Sequence, residues 1–225
     1  SWTTDKTKMR NMCFGDGKLF VIDTETATIT IVDAYSGEQT GTVNTEGVDG
    51  GAVKLMDVKY VDGKLLATNL ATAGTSSTLP LKVYVWENGV DAAPSVLLST
   101  SEIGEYNRIG DTFSIKGNLT NGAICYTARL STNTNQICYD SITDGVVSTT
   151  PTILNVSTDG TAEGGLELGT SPRVVPDDDS DKYWVMGQNY YPSLVNADGI
   201  LESTVNTEAL KEIYQGNDFV EFAFN

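Results

Sequence analysis

Short runs of alternating apolar and polar residues, separated by tight turns, make up most of this chain. Residues 16–22 read DGKLFVI, and residues 62–68, 46 positions later, read DGKLLAT. An Asp-Gly pair supplies the positive φ that a hairpin turn requires. The apolar run after each pair is short and compatible with a β-strand. The pattern predicts an all-β chain whose strands follow one another through hairpins.

A longer period organises these strands into repeated units. A glycine precedes the last strand of each unit, and the spacings between these glycines are 52, 56 and 54 residues, at Gly37, Gly89, Gly145 and Gly199. A four-stranded antiparallel sheet repeated at such spacing is typical of a β-propeller. We therefore predict a propeller-like single domain over residues 1–225, with a β-sandwich or β-helix as the alternative. The predicted blades cover residues 7–44, 53–100, 108–157 and 170–205.

The pattern changes after the fourth unit. Residues 206–214 have the apolar spacing of a short helix, with Asn206 as its cap and Gly216 after its end. Residues 219–224 then read as a strong strand. A blade that begins in this way suggests that the chain is part of a longer propeller. The alternative is that the strand closes the ring by joining the first blade.

Composition excludes several classes of function. The formal net charge is −16, from 30 acidic and 14 basic residues, and such a charge repels phosphate backbones and anionic lipids. We therefore expect no nucleic-acid partner, and the sequence has no apolar run long enough for a transmembrane segment. The chain has no histidine, which removes the usual Ser-His-Asp triad and the commonest metal ligand. We predict no cofactor.

The three cysteines lack the number and spacing of a disulfide framework or a zinc site. Cys125 and Cys138 lie on either side of a predicted turn at residues 132–135. They are therefore candidates for a disulfide across a hairpin in an oxidising compartment. We favour buried free thiols, because cysteine packs well as a small hydrophobic residue.

Basic residues recur on the first strand of each unit, which lines the central channel of a propeller. The recurrent pattern is a cation followed three positions later by a polar residue, at Lys8 and Asn11, Lys54 and Asp57, and Arg108 and Asp111; Arg173 has Pro176 at the partner position. Lys54, Arg108 and Arg173 are therefore candidates for a cationic ring that binds a carboxylate or sulfate group of a ligand. The alternative is a set of ion pairs that satisfies polar groups around a wet channel.

Aromatic residues are the second group of binding candidates. We expect Tyr190 and Tyr191, which follow Asn189, to lie in an exposed loop where sugar rings or peptide side chains could stack on them. Trp86 and Trp184 lie inside apolar strands, so we expect both in the core between blades.

One acidic run is a weak calcium candidate. Asp177, Asp179 and Asp181 alternate as the ligands of a calcium loop do, but Lys182 and Gln188 stand where an EF-hand has its glycine and glutamate. A solvated turn is the favoured interpretation, and we predict no metal site. No pair of carboxylates among the 30 acidic residues is singled out for glycoside hydrolysis.

Three segments carry a resemblance to a known family. Residues 32–38 (VDAYSGE), 81–86 (LKVYVW) and 108–117 (RIGDTFSIKG) resemble β-propeller domains of Bacteroidota surface lipoproteins, a family without an assigned activity. The resemblance covers most of residues 14–200 and assigns no catalytic residue. It implies a surface accessory role beside TonB-dependent nutrient importers. The lipid-bearing cysteine and leader of a lipoprotein are absent from this sequence, so we expect any lipid anchor to lie outside it.

These observations together lead to a functional expectation. We expect a non-enzymatic binding or scaffold subunit at the cell surface or outside the cell, accessory to an outer-membrane complex that imports a glycan or peptide. The alternative is a carboxylate-based polysaccharide hydrolase or lyase on a propeller scaffold. An enzyme would need carboxyl, Tyr or Arg groups that converge in one pocket with perturbed pKa values.

Overall fold

A computed structural model of the chain describes residues 8–72, 80–101, 106–188 and 190–205. The helix and strand predicted within 206–225 lie outside these ranges. The chain divides into two compact units, Ser1–Glu102 and Ile103–Asn225. Each unit is described by itself.

Unit 1 contains two antiparallel sheets of four strands each. Its strands are β1 (Met9–Gly15), β2 (Lys18–Asp23), β3 (Thr28–Asp33), β4 (Gln39–Thr42), β5 (Val53–Val61), β6 (Lys64–Thr72), β7 (Leu81–Trp86) and β8 (Ser95–Thr100). Sheet 1 pairs β1 to β4 in chain order, and sheet 2 pairs β5 to β8 in chain order. Each sheet is thus a simple meander joined by short turns.

Unit 2 also contains two antiparallel sheets. Its strands are β9 (Arg108–Gly117), β10 (Gly122–Arg129), β11 (Asn135–Thr143), β12 (Val146–Val147), β13 (Thr152–Asn155), β14 (Arg173–Pro176), β15 (Tyr183–Gly187), β16 (Tyr190–Val195) and β17 (Leu201–Thr204). Sheet 4 pairs β14 to β17 in chain order. Every regular element in the described ranges is a strand, which confirms the prediction of an all-β chain. Sheets 1 and 4 also have the predicted four antiparallel strands in chain order.

Sheet 3 departs from the simple meander at its last position. Strands β9, β10 and β11 pair in order, but β11 then pairs with both β12 and β13. The sequence analysis predicted a single last strand in this unit after Gly145. Pro151, which has no N–H to donate to a strand ladder, lies between the two short strands. The last position of sheet 3 is therefore shared by two strands.

The Asp-Gly pairs form the turns that the sequence predicts. Both residues have positive φ at 16–17, at 62–63 and at 144–145. Two successive positive φ values define the type I′ turn, whose twist matches that of the strands it joins. These turns set the register of the sheets, because a two-residue loop leaves the pairing no freedom to slip.

The core of unit 1 lies between one face of sheet 1 and sheet 2. It is built from alternate residues of adjacent strands, including Phe20, Ile22, Ile29, Ile31, Leu55, Leu65, Tyr84 and Trp86. At one edge the rings of Phe20 and Tyr60 stack with centroids 5.7 Å apart. The Tyr60 ring also lies against the backbone of Gly15, where a Cβ atom would come within 2.1 Å of the Tyr60 Cγ. The close packing of β1 on β5 therefore requires glycine at position 15.

The core of unit 2 lies between one face of sheet 3 and sheet 4. Its buried residues include Cys125, Ile137, Leu168, Val174, Val185 and Val195. Cys125 pairs with Tyr139 and Cys138 pairs with Tyr126 in the register of β10 and β11. Because paired residues share a face and neighbours alternate, Cys125 and Cys138 point to opposite faces. Both are buried free thiols, as the sequence analysis favoured.

The packing of Gly15 on Tyr60 generates a prediction about stability. We expect Gly15→Ala to lower the free energy of unfolding by about 3 kcal/mol, because the added methyl group overlaps a buried ring. The control is Gly41→Ala in the same sheet, where the nearest atom to an added Cβ is 3.9 Å away. We expect the control to change stability by less than about 0.5 kcal/mol. Urea unfolding measures both, and similar losses for the two variants would contradict the assigned contact.

Candidate functional site

The first strands of three sheets carry a β-bulge towards their amino-terminal ends. Between the register pairs Ile109–Ala128 and Phe113–Tyr126, β9 advances four residues while β10 advances two. Strand β5 shows the same mismatch against β6, and β1 shows a smaller one against β2. A bulge bends a strand and releases backbone groups from the ladder. Each bulge includes a buried amide or carboxylate side chain, at Asn11, Asp57 or Asp111.

The polar side chains in unit 1 bind backbone groups near the bulges. Asn11 Nδ2 donates to the carbonyl oxygen of Met56 at 2.8 Å, and Met56 lies within the bulge of β5. Asp57 Oδ1 accepts a hydrogen bond from the backbone N–H of Val58 at 2.9 Å. The Asp57 carboxylate also forms an ion pair with Lys59 at 3.4 Å. Since buried backbone groups need partners, these contacts stabilise the bend of both strands.

The bulge in unit 2 brings together a cation and a carboxylate. Residues three apart in a regular strand point to opposite faces, but Gly110, with φ of +90°, lies between Arg108 and Asp111. Arg108 donates through Nε and Nη2 to the two carboxylate oxygens of Asp111, both at 2.6 Å. The Asp111 side chain is 1% exposed and that of Arg108 is 23% exposed. The hydrogen bonds to Asp111 raise the pKa of Arg108.

Arg173 lies on β14 beside the first strand of sheet 3. Thr112 Oγ1 donates to the Pro172 carbonyl at 3.2 Å, and Ser114 Oγ donates to the Val174 carbonyl at 2.7 Å. These two bonds show that β9 and β14 run side by side in the same direction. Arg173 lies between the two contacts and is buried. The first strands of sheets 3 and 4 are thus adjacent, as in neighbouring blades.

The three predicted cationic ligands have different environments. Arg108 is held by Asp111, Arg173 is buried, and Lys54 is exposed on β5. A hydrogen bond from Lys82 is the main cause of the lowered pKa of Asp49, and the charge of Lys54 adds to it. Lys54 is therefore the most exposed of the three side chains and the most accessible to a ligand.

The tyrosine pair is not in a loop. Tyr190 and Tyr191 begin β16, because pairing resumes directly after the turn with Tyr190 opposite Gly187. Both tyrosines are partly buried, and Tyr190 packs against the core of unit 2. The expectation of an exposed loop was wrong, because strand β16 begins at Tyr190 itself.

The two tryptophans differ in burial. Trp86 is buried in the core of unit 1, as predicted, and its Nε1 donates to the Asn44 carbonyl at 2.7 Å. Tyr84, on the same strand, donates to the Asp49 carbonyl at 2.6 Å. These bonds fix the connection between sheets 1 and 2. Trp184 is only partly buried, on the face of sheet 4 opposite the unit 2 core.

The acidic run at residues 177–181 closes a turn against the end of β9. Asp177 accepts hydrogen bonds from the Ser180 hydroxyl at 2.6 Å and the Asp179 N–H at 3.1 Å, and the Ser180 bond is the main cause of its lowered pKa. Lys116 Nζ donates to the Ser180 carbonyl at 2.7 Å and lies 3.5 Å from Asp181. The carboxylates of Asp177 and Asp181 therefore bind protein donors.

The described residues contain neither a metal-binding cluster nor a membrane-spanning helix. No group of three or more Cys, Asp or Glu side chains among them is arranged to hold a metal ion. None of the described elements is a helix long and apolar enough to cross a membrane.

One buried carboxyl group was missed by the sequence analysis. Asp140 on β11 is fully buried, and its Oδ2 accepts a hydrogen bond from the Tyr126 hydroxyl at 2.7 Å. Among the described residues, no hydrogen-bond partner contacts the Asp140 Oδ1 atom. Burial raises the pKa of Asp140 to about 6, and the Tyr126 bond opposes this shift. The signal in the sequence was an aspartate in phase with the apolar residues Cys138 and Ile142.

Comparisons with known proteins identify a fold rather than a function. No protein-family model matches the chain, and no curated protein matches it. A solved structure of a DUF4623 family protein from Bacteroides eggerthii is similar, with a TM-score of 0.68 and 20% identity over 88% of this chain and 45% of that chain. The chain therefore spans less than half the length of that protein. The likeness agrees with the resemblance to Bacteroidota proteins and, at this identity, shows the fold alone.

A second solved structure is more distant. The PQQ-bound aldose sugar dehydrogenase from Streptomyces coelicolor has a TM-score of 0.41 and 13% identity over 88% of this chain and 79% of that chain. A likeness of this size carries no argument about this protein.

The Arg108–Asp111 pair generates a prediction about the first strand of sheet 3. We expect Asp111→Asn to destabilise the protein by about 3 kcal/mol, because it leaves a largely buried guanidinium without its counterion. The control is Glu87→Gln, which breaks the more exposed ion pair with Lys64 and should cost at most about 0.5 kcal/mol. Chemical denaturation of both variants at pH 7 measures the difference. Equal losses would show that the Arg108–Asp111 pair is not a structural contact.

Asp140 generates a prediction about pH. A carboxyl whose pKa rises from 3.8 unfolded to about 6 folded favours the folded state most when protonated. The contribution of Asp140 to the free energy of unfolding should therefore fall by up to about 3 kcal/mol as pH rises from about 4 to about 6. Above pH 6 this contribution should stay level. Asp140→Asn should remove this part of the pH dependence. The measurement is the free energy of unfolding of both proteins from pH 4 to 8, and a constant difference between them across this range would contradict the assignment.

Proposed function

We propose that the protein is a non-enzymatic binding or scaffold subunit at the cell surface, accessory to an outer-membrane complex that imports a glycan or peptide. One observation carries the non-enzymatic part of this proposal. The buried carboxylates on the first strands, Asp57 and Asp111, bind Lys59, Arg108 and the local backbone. Their hydrogen-bonding capacity is used to hold bent strands rather than to meet a substrate.

The carboxyl group of Asp140, whose pKa is raised, is also unsuited to catalysis. A general acid or base must reach the proton that it transfers within hydrogen-bonding distance. Asp140 has a pKa in the range of such groups, but its side chain is fully buried and its partner Tyr126 is buried as well. This arrangement favours binding over the rival function, a carboxylate-based polysaccharide hydrolase or lyase.

We also propose that the four sheets are blades of a β-propeller that extends beyond the four described here. In each unit two meanders pack face to face, and their first strands lie side by side. The likeness to a longer Bacteroides protein supports this architecture. The net charge of −16 favours a partner or ligand that tolerates an acidic surface.

Copurification from the native outer membrane tests the proposed role. We expect the tagged protein, solubilised in mild detergent, to elute with an importer subunit and to leave polysaccharides undegraded. The same preparation is incubated with glycans of the native growth medium, and release of reducing ends is measured. Elution alone together with polysaccharide turnover would overturn the proposal in favour of the hydrolase or lyase.

A matched pair of variants tests whether Lys54 takes part in this binding. Lys54→Gln removes an exposed cation on a first strand, whereas Lys64→Gln removes a cation that is paired with Glu87. If Lys54 holds an anionic group of a ligand, its loss should weaken retention of that ligand by about tenfold. Lys64→Gln should leave retention unchanged. Equal behaviour of the two variants would exclude Lys54 from the binding site.

A further inference from the structure

Three polar side chains form a row across one end of sheet 3. Arg108 lies directly opposite Arg129, and Arg129 lies directly opposite Asn135, in the register of β9, β10 and β11. Directly opposite residues of an antiparallel pair share a face of the sheet, with Cβ atoms about 4.5–5.5 Å apart. All three side chains therefore leave the sheet on one side. This row is here called the Arg129 site.

The row contains one positive charge that no described carboxylate balances. Arg108 donates to both carboxylate oxygens of Asp111. Arg129 Nη2 donates instead to a neutral side chain, since its acceptor is Asn133 Oδ1 at 2.6 Å. Like charges directly opposite each other destabilise a sheet, so the guanidinium of Arg129 beside that of Arg108 has particular need of a counterion.

Two buried donors of this site lack an acceptor. Arg129 Nε and Asn135 Nδ2 are out of contact with solvent, and neither has a hydrogen-bond partner among the described residues. Asn135 is 1% exposed, and its Oδ1 already accepts a hydrogen bond from the N–H of Leu168 at 2.8 Å. Exchange of the amide oxygen and nitrogen is excluded, because it would turn two donors towards each other. The Nδ2 end is therefore left as a donor.

A buried asparagine of unit 1 shows how such a side chain is satisfied within the fold. Asn69 of sheet 2 uses both ends of its amide: Nδ2 donates to the Pro80 carbonyl at 3.1 Å, and Oδ1 accepts from the N–H of Lys82 at 2.9 Å. Asn135 is equally buried but uses its oxygen alone. The fold thus completes the hydrogen bonds of one buried asparagine and leaves a donor of the other open.

Unpartnered polar atoms are concentrated at this end of sheet 3. Of the five buried side-chain polar atoms without a partner in the described ranges, four belong to Tyr106, Asn107, Arg129 and Asn135. The N–H of Asn107 donates to the Arg129 carbonyl at 2.8 Å, which places the start of β9 beside the row. Buried polar groups are normally bonded, so a local concentration of unbonded ones marks a place that binds a polar group.

We propose that the Arg129 site binds a carboxylate group of a ligand, with Arg129 Nε and Asn135 Nδ2 as its hydrogen-bond donors. A carboxylate has two acceptor oxygens, and its single negative charge matches the one unbalanced charge of Arg129. A water molecule would leave that charge unbalanced, and a doubly charged sulfate or phosphate would exceed it. The net charge of −16 opposes the binding of anions to the surface at large, so the site must act through these specific donors.

The source of the carboxylate follows from the proposed binding function. An acidic sugar and the carboxyl terminus of a peptide both present this group. The choice of a glycan or peptide rests on the proposed function, whereas the carboxylate site rests on the contacts of Arg129 and Asn135.

Titration of carboxylates into the isotope-labelled 225-residue chain, followed by NMR, tests the proposal. The probes are acetate, glucuronate and N-acetylglycine, with glucose as the uncharged control and ionic strength held constant. We expect the Arg129 Nε–H resonance, identified by its loss in Arg129→Gln, to shift and saturate with each carboxylate but not with glucose. Tighter binding of glucuronate would support an acidic glycan as the source, and tighter binding of N-acetylglycine would support a peptide.

Variants of the two donors separate a bound carboxylate from a general effect of anions. Asn135→Asp keeps an acceptor for the N–H of Leu168 but replaces the Nδ2 donor by a carboxylate oxygen. We expect Asn135→Asp and Arg129→Gln each to weaken acetate binding by at least about tenfold, read from the side-chain resonance of the donor that remains. The matched control is Arg10→Gln, which removes an exposed arginine on β1 and should leave the affinity unchanged.

Each result decides the proposal. The absence of a saturable shift with every carboxylate would overturn it, and so would equal acetate binding by the unchanged protein and Asn135→Asp. Stronger binding of sulfate than of acetate at equal ionic strength would contradict the match of charge and overturn the assignment to a carboxylate. Failure of an importer to copurify would leave these titrations unchanged, and failed titrations would leave copurification unchanged, so the two proposals fail separately.

Discussion

The first strands of these sheets must bend while they remain buried, and a buried backbone group without a partner costs roughly 1–3 kcal/mol. The structure meets this constraint with polar side chains placed at the bulges. Asn11 supplies a donor to the Met56 carbonyl, and Asp57 supplies an acceptor to the N–H of Val58. The bend lets two sheets pack closely enough for the Tyr60 ring to contact the backbone of Gly15. The packing of the sheets therefore depends on a few hydrogen bonds in each unit.

The same constraint explains why charged residues on first strands were difficult to interpret from sequence. In a regular strand, a cation and a polar residue three positions later point to opposite faces. The bulge at Gly110 places Arg108 and Asp111 on one side, where they bind each other. The ion-pair interpretation describes this pair better than a cationic ring does. The sequence pattern could not distinguish an ion pair from a cationic ring. The two differ in the bulge, which arises from the pairing of β9 with β10 and leaves no local signal in the sequence.

Local signals predicted the fold well. The Asp-Gly turns, with positive φ at both positions, and the period of the glycines both follow from short-range geometry. The positions and burial of the candidate side chains depend on tertiary contacts. Short-range sequence signals do not report these contacts. Tyr190 was placed in a loop because Asn189 resembles a loop residue, whereas strand pairing resumes at Tyr190 itself. Asp140 was overlooked because a single acidic residue among 30 gains meaning only from its phase with buried neighbours.

The positions of two cysteines have a consequence for where the protein can fold. Cys125 and Cys138 are close in the hairpin of β10 and β11, but they lie on opposite faces of the sheet and are fully buried. Burial raises the pKa of Cys125 to about 12, so its thiol stays protonated and unreactive at neutral pH. Formation of the hairpin keeps these two sulfur atoms apart. Sheet 3 therefore reaches its native state without a disulfide at these positions, and it needs no oxidising compartment to do so.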